Sequence, residues 1–210
     1  MSKTPPPLRQ KLRDVATEAM LDAAERCMIA NGYEQTTMQQ IAAEAGCAIG
    51  TFYLYFKNKQ ELLRAICGRH GKLMHERIIA AYQQPIAPLE KVRAGLEMFL
   101  RYANEDQAFF RLFLDAVPLR LPHIHRFLDT DARKDHETAQ DLELAALRQA
   151  QEQGQIRGDI PPTLLQEFLE GVCINTLESF LSSDPPPVVQ QQIDTLWKFI
   201  TGGVGANPPH

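Results

Sequence analysis

The 210-residue sequence predicts an all-α protein, with a small helical head in front of a larger helical body. Three observations carry this. Apolar residues recur at helical spacing along most of the chain, and no useful length alternates as a half-buried strand would. The breaks between apolar stripes carry Gly or Pro, at Asn31-Gly32, Gly46, 83–88, 115–122, 154–161 and 184–186. Finally, residues 36–63, TTMQQIAAEAGCAIGTFYLYFKNKQELL, hold two short helical patterns separated by one glycine.

The first helix is expected over 13–30, where Met20, Leu21, Ala24, Cys27 and Met28 form one buried stripe. Thr37 is placed to cap the next helix, 38–45, with Gln40 at the reciprocal N3 position. Ile41 and Ala42 face inward, and Ala45 is small enough for a close helix crossing. Gly46 supplies the backbone freedom of a tight turn. A second short helix runs over 48–56 and breaks at Lys57-Asn58-Lys59. The connecting helix follows over 58–82, with Leu62, Leu63, Ile66, His70 and Leu73 along one face. The body is expected to hold helices over 89–104, 107–116, 122–153 (kinked near 129–137), 162–182 and 187–200. The domain reading is a flexible arm over 1–11, a head over 12–57, a connector over 58–84, a body over 85–201 and a disordered tail over 202–210.

Two helices joined by a glycine turn make a helix-turn-helix, whose second helix enters the major groove of DNA. Here that helix is crowded with aromatics and hydroxyls. Thr51, Tyr53, Tyr55 and the nearby Lys59 are donors suited to phosphate oxygens, whereas Phe52 and Phe56 read as core.

The spaced run Thr37, Ile41, Ala42, Ala45, Gly46, Gly50, Thr51, Tyr53, Tyr55, Phe56, Lys59, Leu62, Leu63 resembles the DNA-binding domain of the TetR (tetracycline-repressor) family of bacterial regulators. The resemblance reaches back to Met20 and covers roughly the first third of the chain. It implies that Thr37, Tyr53, Tyr55 and Lys59 hold the phosphate backbone, while Gln39, Ile49, Gly50, Thr51 and Leu54 face the major groove. Gln39 is the candidate for a directional contact, since its amide can pair with adenine. The chain departs from the family at Met28, Cys47 and Ala48. The first two are tolerable core swaps. Ala48 stands where a serine or threonine often caps the recognition helix, so that cap is expected to be missing.

The family resemblance also implies a homodimer on a palindromic double-stranded operator, a body that opens a pocket for a small lipophilic or aromatic effector, and repression as the default. Phe99, Tyr102, Phe110, Phe113, Phe127 and Phe168 are the effector-binding candidates; ordinary core packing is the competing reading of the same aromatics. The last two helices are unusually apolar for an outer wall. Phe168, Val172, Leu177, Phe180, Ile193, Leu196 and Trp197 are the candidate dimer interface.

The formal net charge of −4 divides unevenly: residues 1–72 carry 10 basic and 7 acidic residues (+3), the remainder 12 and 19 (−7). A basic head before an acidic body suits phosphate recognition. The start is polar and proline-rich, without a secretory h-region or a membrane-spanning run. A cytoplasmic protein with four reduced cysteines is therefore expected. No catalytic motif is present, and neither a cofactor nor a metal is expected. His123 and His125 would point to different faces of a helix, which argues against a site with Asp115, Asp129 or His136. A redox role for Cys47 and a DNA-binding architectural or cell-division factor on the same scaffold without an effector are the alternatives.

Overall fold

A computed structural model of the chain describes residues 8–117, 130–184 and 187–204. Among the described residues there are nine α-helices and no strand. They are α1 (Leu8–Asn31), α2 (Met38–Glu44), α3 (Ile49–Tyr53), α4 (Lys59–Tyr82), α5 (Pro88–Glu105), α6 (Gln107–Ala116), α7 (Thr130–Glu152), α8 (Pro162–Ser182) and α9 (Val189–Val204). No described helix is long and apolar enough to cross a membrane.

The ends of three elements differ from expectation, α3 stopping at Tyr53 instead of Phe56. α1 begins at Leu8, inside the expected flexible arm, where Gln10 donates to Asp14 at 2.8 Å across one turn. α9 runs on to Val204, past the expected start of the tail, and the Thr201 hydroxyl donates back to the Trp197 carbonyl at 2.8 Å. The remaining tail, the first seven residues, the expected start of α7 at 122 and its expected kink up to residue 129 lie outside the described residues.

The head is held by one apolar knot. Met20, Leu21, Ala24 and Met28 of α1 pack against Ile41, Ala42, Phe52, Phe56, Leu62, Leu63 and Ile66. Phe52 is fully buried, so α3 is pinned inward by one ring while its other faces remain open. The capping box at the start of α2 is present. The Gln40 amide N–H donates to Thr37 Oγ1 at 3.3 Å, and Thr37 N–H donates to Gln40 Oε1 at 2.8 Å. Gly46 sits at φ +67, the left-handed region that a β-carbon disfavours, and its turn is closed by Cys47 N–H donating to the Ala42 carbonyl at 3.0 Å.

α4 has 24 residues and so spans about 36 Å from head to body. Its start is capped by Asn58, whose Oδ1 accepts from Glu61 N–H at 2.8 Å. Leu62, Leu63, Ile66 and His70 are buried as expected, but Leu73 is 48% exposed. The buried face is continued instead by Cys67, Gly71 and His75, because the stripe follows the helix's own winding around its neighbours α5 and α7. The core does not stop at the head. Tyr102, Phe109, Phe110, Phe113, Leu177 and Phe180 belong to the same apolar cluster as Phe52. A second cluster, built on Val92, Leu96, Leu147, Leu165, Leu169, Ile193 and Leu196, fills the far end of the body.

The N-cap of α3 is Ala48, extended at φ −65 and ψ 141, and no side chain caps the helix there. Ala48→Ser should restore the hydroxyl acceptor and raise the unfolding free energy by about 1 kcal/mol in a urea titration. An unchanged midpoint and slope would show that α3 gains nothing from a cap.

Candidate functional site

The outer face of the head is formed by side chains that α2 and α3 leave unburied. Gln39, Gly50 and Thr51 are exposed, Tyr53 is 48% exposed and Leu54 is 78% exposed. Ile49 and Tyr55 are half-buried, and the Arg13 guanidinium lies 5.8 Å from the centre of the Tyr55 ring. A β-carbon added at Gly50 would meet nothing within 4 Å, so packing inside the chain does not demand glycine there. Thr37 is exposed but already engaged, its hydroxyl donating to Gln40 Oε1 at 2.9 Å.

Lys59 is also engaged within the head. Its ammonium donates to the carbonyls of Tyr33 at 2.5 Å and Glu34 at 3.0 Å, and lies 4.4 Å from the Tyr33 ring centre. Two of its three N–H groups are thus spent bracing the turn after α1, which gives Lys59 a structural duty that family spacing does not disclose.

Behind the head, α4, α5, α6, α7 and α8 enclose a cavity of about 170 Å³. Phe99, Tyr102, Phe110 and Phe113 come together in its wall, joined by Phe109, Met74, Ile78, Leu96 and Ile174. Phe99 and Tyr102 meet the Phe110 ring edge-on, with centroids 6.3 and 6.0 Å away. Phe168 does not belong there: it is 54% exposed, because α8 turns Leu165, Leu169 and Cys173 inward and carries Phe168 round to the outer face. Phe127 lies outside the described residues, as do His123, His125 and Asp129. At the far end the Tyr82 ring lies so close over Gly95 that a β-carbon there would stand 2.6 Å from it.

The cavity also holds polar groups that aromatic spacing did not point to. His75 Nε2 and His136 Nδ1 are 3.1 Å apart, while His75 Nδ1 is buried without an aligned partner. Burial, reinforced by His136, pushes the His75 pKa down to about 4. Glu143 accepts from Gln166 Nε2 at 3.1 Å, and the Tyr82 hydroxyl is directed at it. Burial outweighs both donors and pushes the Glu143 pKa up to about 7, with Glu170 adding to the rise. A signal for Glu143 was present in the sequence. It falls on the α7 stripe between Ala139, Ala146 and Ala150, a charge at an apolar position.

Head and cavity share one joint. Arg69 of α4 bonds Asp22 at 2.6 Å, Glu18 at 3.1 Å and Glu25, three acids along one side of α1. The next residue, His70, lines the cavity, stacks on Phe109 at 3.7 Å, and bonds Glu25 Oε1 through Nε2 at 2.8 Å. Its Nδ1 faces the Tyr102 hydroxyl at 3.2 Å and Asp106 at 3.4 Å. Burial opposes charge on Glu25, but its bonds to His70 and Arg69 hold the carboxyl below its ordinary range. Glu25, His70 and Asp106 lie close enough to suggest a metal site. The two carboxylates, however, engage opposite nitrogens of one imidazole, which a single ion cannot do, so the cluster is a hydrogen-bonded joint.

The dimer candidates divide. Leu177, Phe180, Ile193 and Leu196 are between 1% and 6% exposed and belong to the subunit's own core, which corrects their expected place in an interface. Val172 and Trp197 are half-buried, with Arg93 5.8 Å from the Trp197 ring centre. The apolar groups left outside on or beside α8 and α9 are Leu164, Phe168, Val188 and Phe199.

A short exposed helix set across a glycine turn, in an all-α chain, is the geometry of a helix-turn-helix. Residues 20–66 match the family model for bacterial regulatory proteins of the tetR family. The head therefore matches a tetR-family DNA-binding domain, and the curated proteins that the chain resembles are named as HTH-type transcriptional regulators. It is 45% identical over 62 residues to an uncharacterised HTH-type transcriptional regulator of Haemophilus influenzae, an alignment covering 30% of this chain and 33% of that one. For several of the relatives it matches, the aligned part is only a third to about half of their length. Its fold is similar to that of the fatty acid degradation regulator FadR from Bacillus halodurans (TM-score 0.73, 18% identity, 96% of this chain and 98% of that one). It is also similar to SmeT in a triclosan complex (TM-score 0.70, 22% identity, 93% and 99%).

The two shifted groups have opposite pH signatures. The Glu143 contribution to stability is fully present below its ordinary value of 4.5 and is lost as pH rises through about 7. The His75 contribution is present above 6.5 and is lost as pH falls through about 4. Glu143→Gln removes only the first. Between pH 4.5 and pH 8 the variant should therefore gain on the wild type by roughly 3 kcal/mol in urea unfolding. A pH-independent difference would show that Glu143 titrates as in the unfolded chain.

Proposed function

We propose that the protein is a repressor that binds a palindromic operator as a homodimer and leaves it when a small lipophilic or aromatic compound enters the α4–α8 cavity. The observation that carries this reading is the sharing of residues between cavity and joint. His70, Tyr102 and Phe109 line the aromatic cavity, and His70 also bonds α1 of the head. A compound that fits the cavity better in one arrangement of this joint shifts the head between DNA-competent and incompetent positions. SmeT, similar in fold, is described in complex with triclosan, an aromatic compound, and as the repressor of a multidrug efflux pump.

In this reading Gln39, Ile49, Gly50, Thr51 and Leu54 face base edges, and Thr37, Tyr53 and Tyr55 lie along the phosphates, with the third N–H of Lys59 beside them. The open outer side of Gly50 supports this assignment, since only an external surface would require the missing side chain. Two heads reading two half-sites need a partner subunit, and the apolar groups around Phe168 and Phe199 are the surface for it.

The central test is release. A fluorescent promoter fragment from beside the protein's own gene should bind with nanomolar affinity and be displaced by small aromatic compounds. Binding that no such compound alters would favour the architectural role instead. Gly50→Ala should hold or raise stability by up to about 1 kcal/mol while weakening operator binding at least tenfold. Tyr53→Ala should weaken operator and random duplexes alike, whereas Gln39→Ala should reduce the preference for operator by about 1–3 kcal/mol. Equal losses on both duplexes for all three variants would contradict this division. Phe168→Glu with Phe199→Glu should yield a folded monomer in sedimentation velocity; a dimer that survives both changes would place the interface elsewhere.

A further inference from the structure

We infer that the α4–α8 cavity takes a small apolar or aromatic compound bearing a positive charge, such as a protonated amine, with Glu143 as its counter-charge. The inference rests on the effector reading above and gives that effector a chemical class.

The cavity wall is acidic. Glu143 of α7 and Glu170 of α8 both line it, and no described lining residue is Lys or Arg. Glu143 forms no ion pair among the described residues. Neutral donors hold its carboxyl in place: Gln166 Nε2 at 3.1 Å, itself anchored on the Gln140 carbonyl at 2.7 Å, and the Tyr82 hydroxyl. This is a carboxyl group fixed in position and desolvated, in a described wall without Lys or Arg; burial resists its ionisation, and a ligand that brings a positive charge relieves that resistance. Of the lining histidines, His75 does not supply that charge, since burial holds it neutral at ordinary pH. A ligand carboxylate would oppose the ionisation of Glu143 and Glu170 further and find no Lys or Arg in the described wall, which disfavours an anionic effector.

The rest of the wall suits the rest of such a molecule. Phe99, Tyr102, Phe110 and Phe113 present aromatic surface, which packs an apolar body and tolerates a nearby cation. At about 170 Å³ the cavity is slightly larger than one of roughly 150 Å³ that holds benzene. One ring with a short amine-bearing tail therefore matches it.

Isothermal titration of the full-length protein with 2-phenylethylamine, 2-phenylethanol and 3-phenylpropionate compares three shapes that differ mainly in charge. The amine should bind about tenfold more tightly than the alcohol, as expected for a charge-assisted contact, and the carboxylate should bind most weakly. In Glu143→Gln the preference for the amine should vanish while the alcohol keeps its affinity within a few-fold. If the alcohol or carboxylate binds the wild type as well as the amine does, the charge inference is overturned and the effector cavity stands. If none of the three binds, the cavity reading fails and the inference falls with it. An amine preference that persists in Glu143→Gln overturns the role given to that residue.

Discussion

The structure depends most on the joint between α1 and α4. Three acids on one side of α1, Glu18, Asp22 and Glu25, converge on Arg69, and the next residue along α4 links Glu25 to the Tyr102 hydroxyl through the two nitrogens of its ring. Exposed ion pairs contribute little on their own. This set differs because Glu25 and His70 are shielded and His70 is stacked flat on Phe109. The joint thus has a fixed geometry, and the head cannot turn about α1 without disturbing groups that also form the cavity wall.

The same arrangement removes any loose hinge between head and body. The apolar knot around Phe52 continues without a gap through Tyr102, Phe109 and Phe113 to Leu177 and Phe180. Packed interiors respond to displacement by switching between arrangements rather than by bending continuously. A cavity of modest volume, placed where this core meets α4, is therefore in a position to bias the head. Gly95 contributes at the opposite end, since its missing side chain is what lets the Tyr82 ring reach across toward Glu143.

Function also costs stability at this point. The cavity leaves His75 Nδ1 without an aligned partner and Glu143 without a cation, two arrangements that a purely structural core would avoid.

Much of the fold was legible in local pattern. The Thr37–Gln40 capping box, the positive φ of Gly46, the uncapped Ala48 and the inward Phe52 all follow from interactions within a few residues, and all stand in the structure. The exposure of the α3 side chains was legible for the same reason: a short helix pinned by one ring leaves its other side chains outside. Tertiary packing decided what periodicity could not. Helical spacing marks Leu177, Ile193 and Phe168 alike as apolar, but only the neighbouring helices decide that the first two are core and the third is surface. Lys59 was read from its spacing as a phosphate donor, yet carbonyls 25 and 26 residues away claim most of its hydrogen bonds. Arg69 and Glu143 draw their meaning from partners on other helices. The sequence by itself determined the helices, the turn and the exposed outer face of the head, because those depend on neighbours along the chain. Only the tertiary structure decided which aromatics enclose a cavity and which charges lie inside it, because those depend on contacts between distant segments.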